Sequence, residues 1–291
     1  MFFLLILRVE QIFFLYLRIM QKHILAILLL LLLNCGLNAQ ELGRFDHYST
    51  KEGLISNRVF GLAKDADGFV WAATDFGLER FDGQFFKHYK KSVYEEMPRE
   101  NFQFVSSFEN GNLCAGGYNG LLLEYDVRAD SFRNVMPEEF NSSFFKESID
   151  LYKDEKGNYY LFTSAGIYPY SKTERVFSSD SPIFKATKDF YVCAMFIDKY
   201  DRVWAGSVDS VCVFDKAGNK VELDMGEKRS FGFIKGFIYE DDKLYMTTQA
   251  NEMLVFDITE GKIGKPKIVS VPFANVSKVM RDKTGRYWFA T

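Results

Sequence analysis

The chain has 291 residues, of which 47% are hydrophobic and 26% charged, and a formal net charge of -3. That composition belongs to a globular protein, and the slight acidic balance lacks the basic footprint of a nucleic-acid binder. Aromatic residues make up 17%, which suits packed β-sheets; with 6 Pro and no low-complexity run, no linker marks a second folded domain.

Residues 1–19 are two short apolar runs broken by Arg8, Glu10 and Arg18, and they read as an extension upstream of a true start at Met20. From Met20 come a positive region (Lys22, His23), an apolar stretch from Ile24 to Leu33, and Leu37-Asn38-Ala39 before Gln40. This order predicts a secretory signal peptide over 20–39, cut after Ala39. A signal anchor is the competing reading, but ten apolar residues are too few to span ~30 Å of hydrocarbon. Cys35 raises lipidation, against which the preceding Asn34 is bulkier than lipoprotein processing favours.

The mature chain, 40–291, is organised around Lys64 to Asp82. An alternating run, Val59 to Ala63, leads to an acidic turn at Asp65-Ala66-Asp67-Gly68, and a second run, Phe69 to Thr74, follows. That is a hairpin signal. A turn at Asp75-Phe76-Gly77 precedes a third run ending in Phe81-Asp82, and Phe85 to Tyr89 supplies a fourth. Degraded copies recur. Trp71 aligns with Cys114, Tyr160, Trp204, Tyr245 and Trp288, at intervals of 41 to 46 residues. Four strands at such a period predict blades of a β-propeller. In the first turn, Gly68, Gly157 and Gly285 supply the positive φ of a tight hairpin, whereas Asp201 and Asp242 stand in the same slot. Gly77 belongs to the second turn. A large ring in the Trp71 slot is expected to fill the space between neighbouring blades.

Of the cysteines left after cleavage, Cys114, Cys193 and Cys212, the last two are expected on the first and third strands of one blade, ~10 Å apart and beyond disulfide reach. All three are expected in the core. His47 and His88 occupy matching places in Phe45-Asp46-His47-Tyr48 and Phe86-Lys87-His88-Tyr89, as repeat positions rather than ligands. No cofactor or metal site is expected.

The run from Leu62 to Phe81 resembles the two-component regulator propeller repeat. The pattern is Asp, two residues, Gly, two residues, Trp, a small residue, Thr, then Gly-Leu before an aromatic; Gly53-Leu54-Ile55-Ser56-Asn57 also resembles the family's lead-in to its first blade. The resemblance implies an all-β fold of about five complete blades plus a truncated sixth, part of a seven-bladed ring. It further implies an exported, periplasmic sensor of an oligosaccharide or another small ligand. In such proteins a linker and membrane helix pass the signal to a histidine kinase, and the complete protein can dimerise. None of those later parts is in this sequence, so the chain is expected to be the N-terminal part of an input module with no enzymatic activity and no nucleic-acid contact. Made alone, it is expected to associate through an unclosed edge.

Two other classes compete. One is a secreted protein-interaction propeller. The other is a propeller glycoside hydrolase, but the Asp boxes of sialidases need an Asp where Ala66 and Lys283 stand, and the turn carboxylates recur once per blade as turn formers do. Ligand-contacting loops are expected at one end of the channel, with Tyr118-Asn119 and Gln249-Ala250-Asn251 as candidates.

Overall fold

The structure is a computed structural model. It describes Met20, Gln21, His23, residues 47–118, 120–136, 148–226, 230–250 and 252–271, and the backbone of 278–281 and 287–290. It divides into two units, Met1–His47 and Tyr48–Thr291. Of the first, Met20, Gln21 and His23 are helical, and the rest of the expected leader lies outside the described residues. Among the described residues no helix is long and apolar enough to cross a membrane.

The second unit is built from antiparallel four-stranded sheets, each a run of consecutive strands paired in sequence order. Blade 1 is β1 (Val59–Lys64), β2 (Val70–Thr74), β3 (Gly77–Phe81) and β4 (Phe86–Tyr89). Blade 2 is β5 (Phe102–Ser107), β6 (Leu113–Gly117), β7 (Leu122–Asp126) and β8 (Ser131–Asn134). Blade 3 is β9 (Ser148–Lys153), β10 (Tyr159–Thr163), β11 (Gly166–Ser171) and β12 (Val176–Phe177), followed by a short helix, α1 (Pro182–Thr187). Blade 4 is β13 (Ala194–Ile197), β14 (Val203–Gly206), β15 (Val211–Phe214) and β16 (Lys220–Val221). Blade 5 is β17 (Ile234–Glu240), β18 (Lys243–Thr248), β19 (Glu252–Asp257) and β20 (Lys267–Ser270). A further pair, β21 (Lys278–Arg281) and β22 (Tyr287–Ala290), follows.

First strands meet first strands: β1 lies against β5, β5 against β9, β13 against β17 and β17 against β21. This is the propeller arrangement, and the all-β expectation holds strand for strand.

The core sits between blades. Trp71, fully buried, packs its ring 4.7 Å from Tyr89 of its own blade and 4.8 Å from Tyr125 of blade 2. Trp204 lies 5.1 Å from Phe256 of blade 5. Cys114, also fully buried, packs with Leu161 and Tyr168 of blade 3. The two tyrosines of this slot, Tyr160 and Tyr245, are only half-buried. The Trp288 side chain and Gly285 lie outside the described residues.

The turns behave as their residue types require. Gly68 and Gly157 have φ of 95° and 79°, and Asp201 and Asp242 take the same left-handed region at 59° each. Gly77 is stricter: at φ 134°, a Cβ would come within 2.5 Å of the Tyr89 carbonyl oxygen.

Three expectations need correction. Cys193 precedes β13 rather than lying on it, its amide donating to the Gly206 carbonyl at 2.7 Å. Cys193 and Cys212 are half-buried, and of the three free cysteines Cys114 alone is in the core. Finally, the match of residues 45–48 to Phe86–Tyr89 predicts an opening strand there, but its described residues His47 and Tyr48 are not strand; Tyr48 instead sets its ring 4.7 Å from Phe81 and 6.0 Å from Phe86 of blade 1.

Candidate functional site

Where the first strands of blades 1 to 5 converge they enclose a cleft of about 360 Å³. The inner strands contribute unequally to its lining. Phe60 comes from β1, Gln103 from β5, Asp150 and Tyr152 from β9, Phe196 from β13, and Lys235 and Phe237 from β17. The lining therefore combines aromatic faces with an amide, a carboxylate and an ammonium.

These groups are held in place. The Tyr152 hydroxyl accepts the Ile197 amide at 3.2 Å, and burial pushes its pKa up to about 12, so it remains a neutral phenol. Tyr152 also lies edge-on to Phe196, with 6.4 Å between ring centroids. The Lys235 ammonium is 5.0 Å from the Phe233 ring centroid. One Asp150 oxygen accepts the Leu151 amide at 2.8 Å.

A larger space, about 540 Å³, opens at the rim between blades 4 and 5 around Tyr200, Arg202, Glu222 and Lys262. Two of its cations are already paired. Arg202 donates to Asp198 at 2.8 Å and to the Gly261 carbonyl at 3.0 Å, with its guanidinium 5.0 Å from the Tyr200 ring centroid, and Lys262 pairs with Glu222. Those contacts fasten one blade to the next, whereas the central cleft draws its lining from blades 1 to 5.

The loops singled out in the sequence contribute less. Tyr118 is exposed, and the Gln249 side chain is turned to the Phe233 amide at 3.5 Å; Asn119 and Asn251 lie outside the described residues. Sequence reasoning passed over the inner-strand residues because each looks like an ordinary member of an alternating strand.

It also passed over a second role of the turn aspartates. Asp65 uses Oδ1 to accept the Asp67 and Phe69 amides, at 3.1 and 2.9 Å, and Oδ2 to accept the Trp71 indole N–H at 2.7 Å. Asp198 repeats this on Tyr200, Arg202 and Trp204, the last at 2.9 Å. Asp154 repeats it with the Asn158 amide, and its Oδ2 accepts the Tyr160 hydroxyl at 3.5 Å. A signal existed: Asp stands six residues before the ring donor in each case, and Asp282 stands six before Trp288.

With blades, turns and cleft in view, the class is a β-propeller. More particularly, residues 53–76, which span the lead-in segment, β1, the Asp65 turn and β2, match the two component regulator propeller family. No curated protein matches the chain significantly. Solved structures do match in fold. The extracellular domain of the hybrid two component system BT3049 from B. thetaiotaomicron is similar at TM-score 0.50 and 17% identity, over 84% of this chain and 40% of that one. PorZ, a surface component of the type-IX secretion system of Porphyromonas gingivalis, is similar at TM-score 0.58 and 13% identity, over 85% and 40%. Virginiamycin B lyase from Staphylococcus aureus is similar at TM-score 0.59 and 12% identity, over 80% and 77%. The chain thus spans about two fifths of the length of the first two.

Proposed function

We propose that this chain is ligand-reading propeller from the extracytoplasmic input region of a two-component sensor, and that it recognises a carbohydrate. The observation that carries the reading is the family match at 53–76, whose Asp65, Gly68 and Trp71 perform the structural tasks of the repeat. The likeness to the BT3049 extracellular domain supports the architecture, and an exported, periplasmic location follows from the reading together with the leader-like order of residues 20–39.

The ligand class rests on the cleft. Aromatic faces stack on the apolar faces of sugar rings, while Gln103, Asp150 and Lys235 offer hydrogen-bond partners to hydroxyls. The chain's role in this reading is recognition without chemistry. The fully buried carboxylates that break the repeat, Glu79 and Glu124, are engaged by Ile55 and His88 and by Asn112 and Arg133 respectively. They lie on third strands, away from the cleft.

Calorimetric titration of the protein with a panel of oligosaccharides tests the proposal. One of them should bind, and Phe237→Ala with Gln103→Ala should weaken it about tenfold or more, since each removed stacking or hydrogen-bonding group is worth roughly 1 kcal/mol. Saccharide binding that survives both substitutions would move the site elsewhere, and sugar hydrolysis by the pure protein would replace the reading with an enzymatic one.

A further inference from the structure

Five blades share one register, so each position has internal controls. The residue facing Ala72 across the β2–β3 ladder is Glu79; at the same place the other blades put Leu123, Tyr168, Cys212 and Leu254. Blade 1 alone places a carboxylate there. Its outer neighbour on β4 is His88, where blade 2 has Asn134.

Leu78, next along β3, packs toward blade 2, so Glu79 faces the opposite side of the blade. It is nevertheless fully buried, because the segment 54–58 lies over it as a strap. The strap's Ile55 amide donates to Glu79 Oε1 at 2.9 Å, and His88 Nδ1 lies 2.7 Å from Oε2. Alongside, the Ser56 hydroxyl donates to Asp75 at 2.6 Å and Arg58 reaches the same carboxylate at 3.3 Å. The strap buries Leu54 and Ser56. Its fastening to the blade consists largely of two carboxylates, one of which is desolvated and shares its charge with a half-exposed imidazole.

We propose that this strap is a proton-linked clamp, whose hold on blade 1 tightens as its surroundings acidify, through the Glu79–His88 pair.

A buried carboxylate is costly unless paired, and a charged imidazolium donates a stronger hydrogen bond to it than a neutral ring does. Imidazole gains its proton between about pH 8 and pH 5. The Glu79 carboxyl itself is raised from its ordinary value, chiefly by burial, against the opposing hydrogen bond and charge of His88, the Ile55 amide and the charge of Lys90. A group raised in the fold holds a proton that the unfolded chain releases. Its stabilising contribution is therefore complete below the ordinary glutamate range and is lost as pH rises through the folded value. Of the other charges nearby, Lys90 adds a positive charge that favours the Glu79 carboxylate, and Arg58 and Asp75 are paired to each other.

The test is hydrogen exchange by mass spectrometry on peptides covering 53–58, comparing the protein with His88→Gln and Glu79→Gln at about pH 8 and about pH 5.5, the range over which imidazole titrates, after correction for intrinsic exchange rates. Protection of the strap should rise on acidification in the parent protein by about tenfold more than in either variant, roughly the advantage of a charge-assisted over a neutral hydrogen bond. Peptides from blade 4 should show no such difference. Equal pH dependence in the parent and His88→Gln, or a strap that loosens on acidification, would overturn the proposal. Should Glu79→Gln fail to fold, His88→Gln, which alters a half-exposed side chain, decides the matter alone.

Discussion

The contact that most defines a blade is the one between Asp65 and Trp71. One carboxylate oxygen closes the β1–β2 turn and the other receives the indole N–H that would otherwise be buried without a partner, so turn and core are fixed by a single side chain. Removing Trp71 empties a fully buried site shared by two blades; Trp71→Ala should cost on the order of 3 to 5 kcal/mol, and it strands Asp65 as well. Asp82, at the exposed β3–β4 turn, caps the Gln84 and Phe85 amides in water, so Asp82→Ala should leave the urea midpoint nearly unchanged. Comparable midpoint shifts for the two variants would contradict the assignment of Trp71 to the core. Burial of Trp71 was legible from its recurrence, since a repeated large ring has a packing reason. The Asp65 bond was hidden because an Asp in a tight turn already has a sufficient local explanation.

Between elements, the same logic explains why two turns use Asp where glycine is easier. Asp201, in the left-handed region at φ 59°, presents its carboxylate to Lys156 of blade 3 and to Lys216 of its own blade. Asp242 does the same for Lys199 of blade 4. The hydrogen bonds from these lysines hold both carboxyls below their ordinary value. Ion pairs at such exposure are weak, while a Cβ in the left-handed region costs about 1 kcal/mol. Asp201→Gly should thus be close to neutral near pH 7, whereas Asp201→Ala, which keeps the strain and loses the lysines, should be about 1 kcal/mol less stable than Asp201→Gly in urea titrations. Because the shift is downward, the carboxylate's contribution is present above the ordinary Asp range and lost as pH falls through the folded value. In acid the parent protein should accordingly become less stable than Asp201→Gly, because the left-handed strain stays while the lysine pairs are lost. Strand order, hairpins and glycine turns could be read from the sequence because they depend on neighbours a few residues away. The half-burial of Cys193, the packing of Tyr48 on Phe81, and Glu79 beneath the strap could not, since each depends on which distant segment covers a blade. Glu79 was legible only as a departure: a carboxylate in a register that four other copies fill with Leu, Tyr or Cys.

At the scale of the whole propeller, the apolar core is partitioned into clusters, each lying between two consecutive blades. Trp71, Tyr89, Tyr125 and Phe132 join blades 1 and 2; Trp204, Ile234, Leu244 and Phe256 join blades 4 and 5. Phe108, Leu161 and Tyr168 join blades 2 and 3, and Phe162, Met195 and Val203 join blades 3 and 4. A structure whose units touch only their neighbours behaves as a chain of local stabilities linked by interface terms, and its weakest interface opens without unfolding the rest. Trp204→Ala removes the ring that packs 5.1 Å from Phe256 and leaves Asp198 without the indole proton it accepts at 2.9 Å, while touching nothing in the cluster between blades 1 and 2. Hydrogen exchange on this variant should show lost protection in β14, β17, β18 and β19, with β2, β6 and β7 protected as in the parent protein. The ion pair of Lys199 with Asp242 spans the affected interface at the surface, and it is too weak to hold it closed. Uniform loss of protection across all blades would instead mean that the ring transmits strain as one cooperative body, with the blade interfaces acting as a single core.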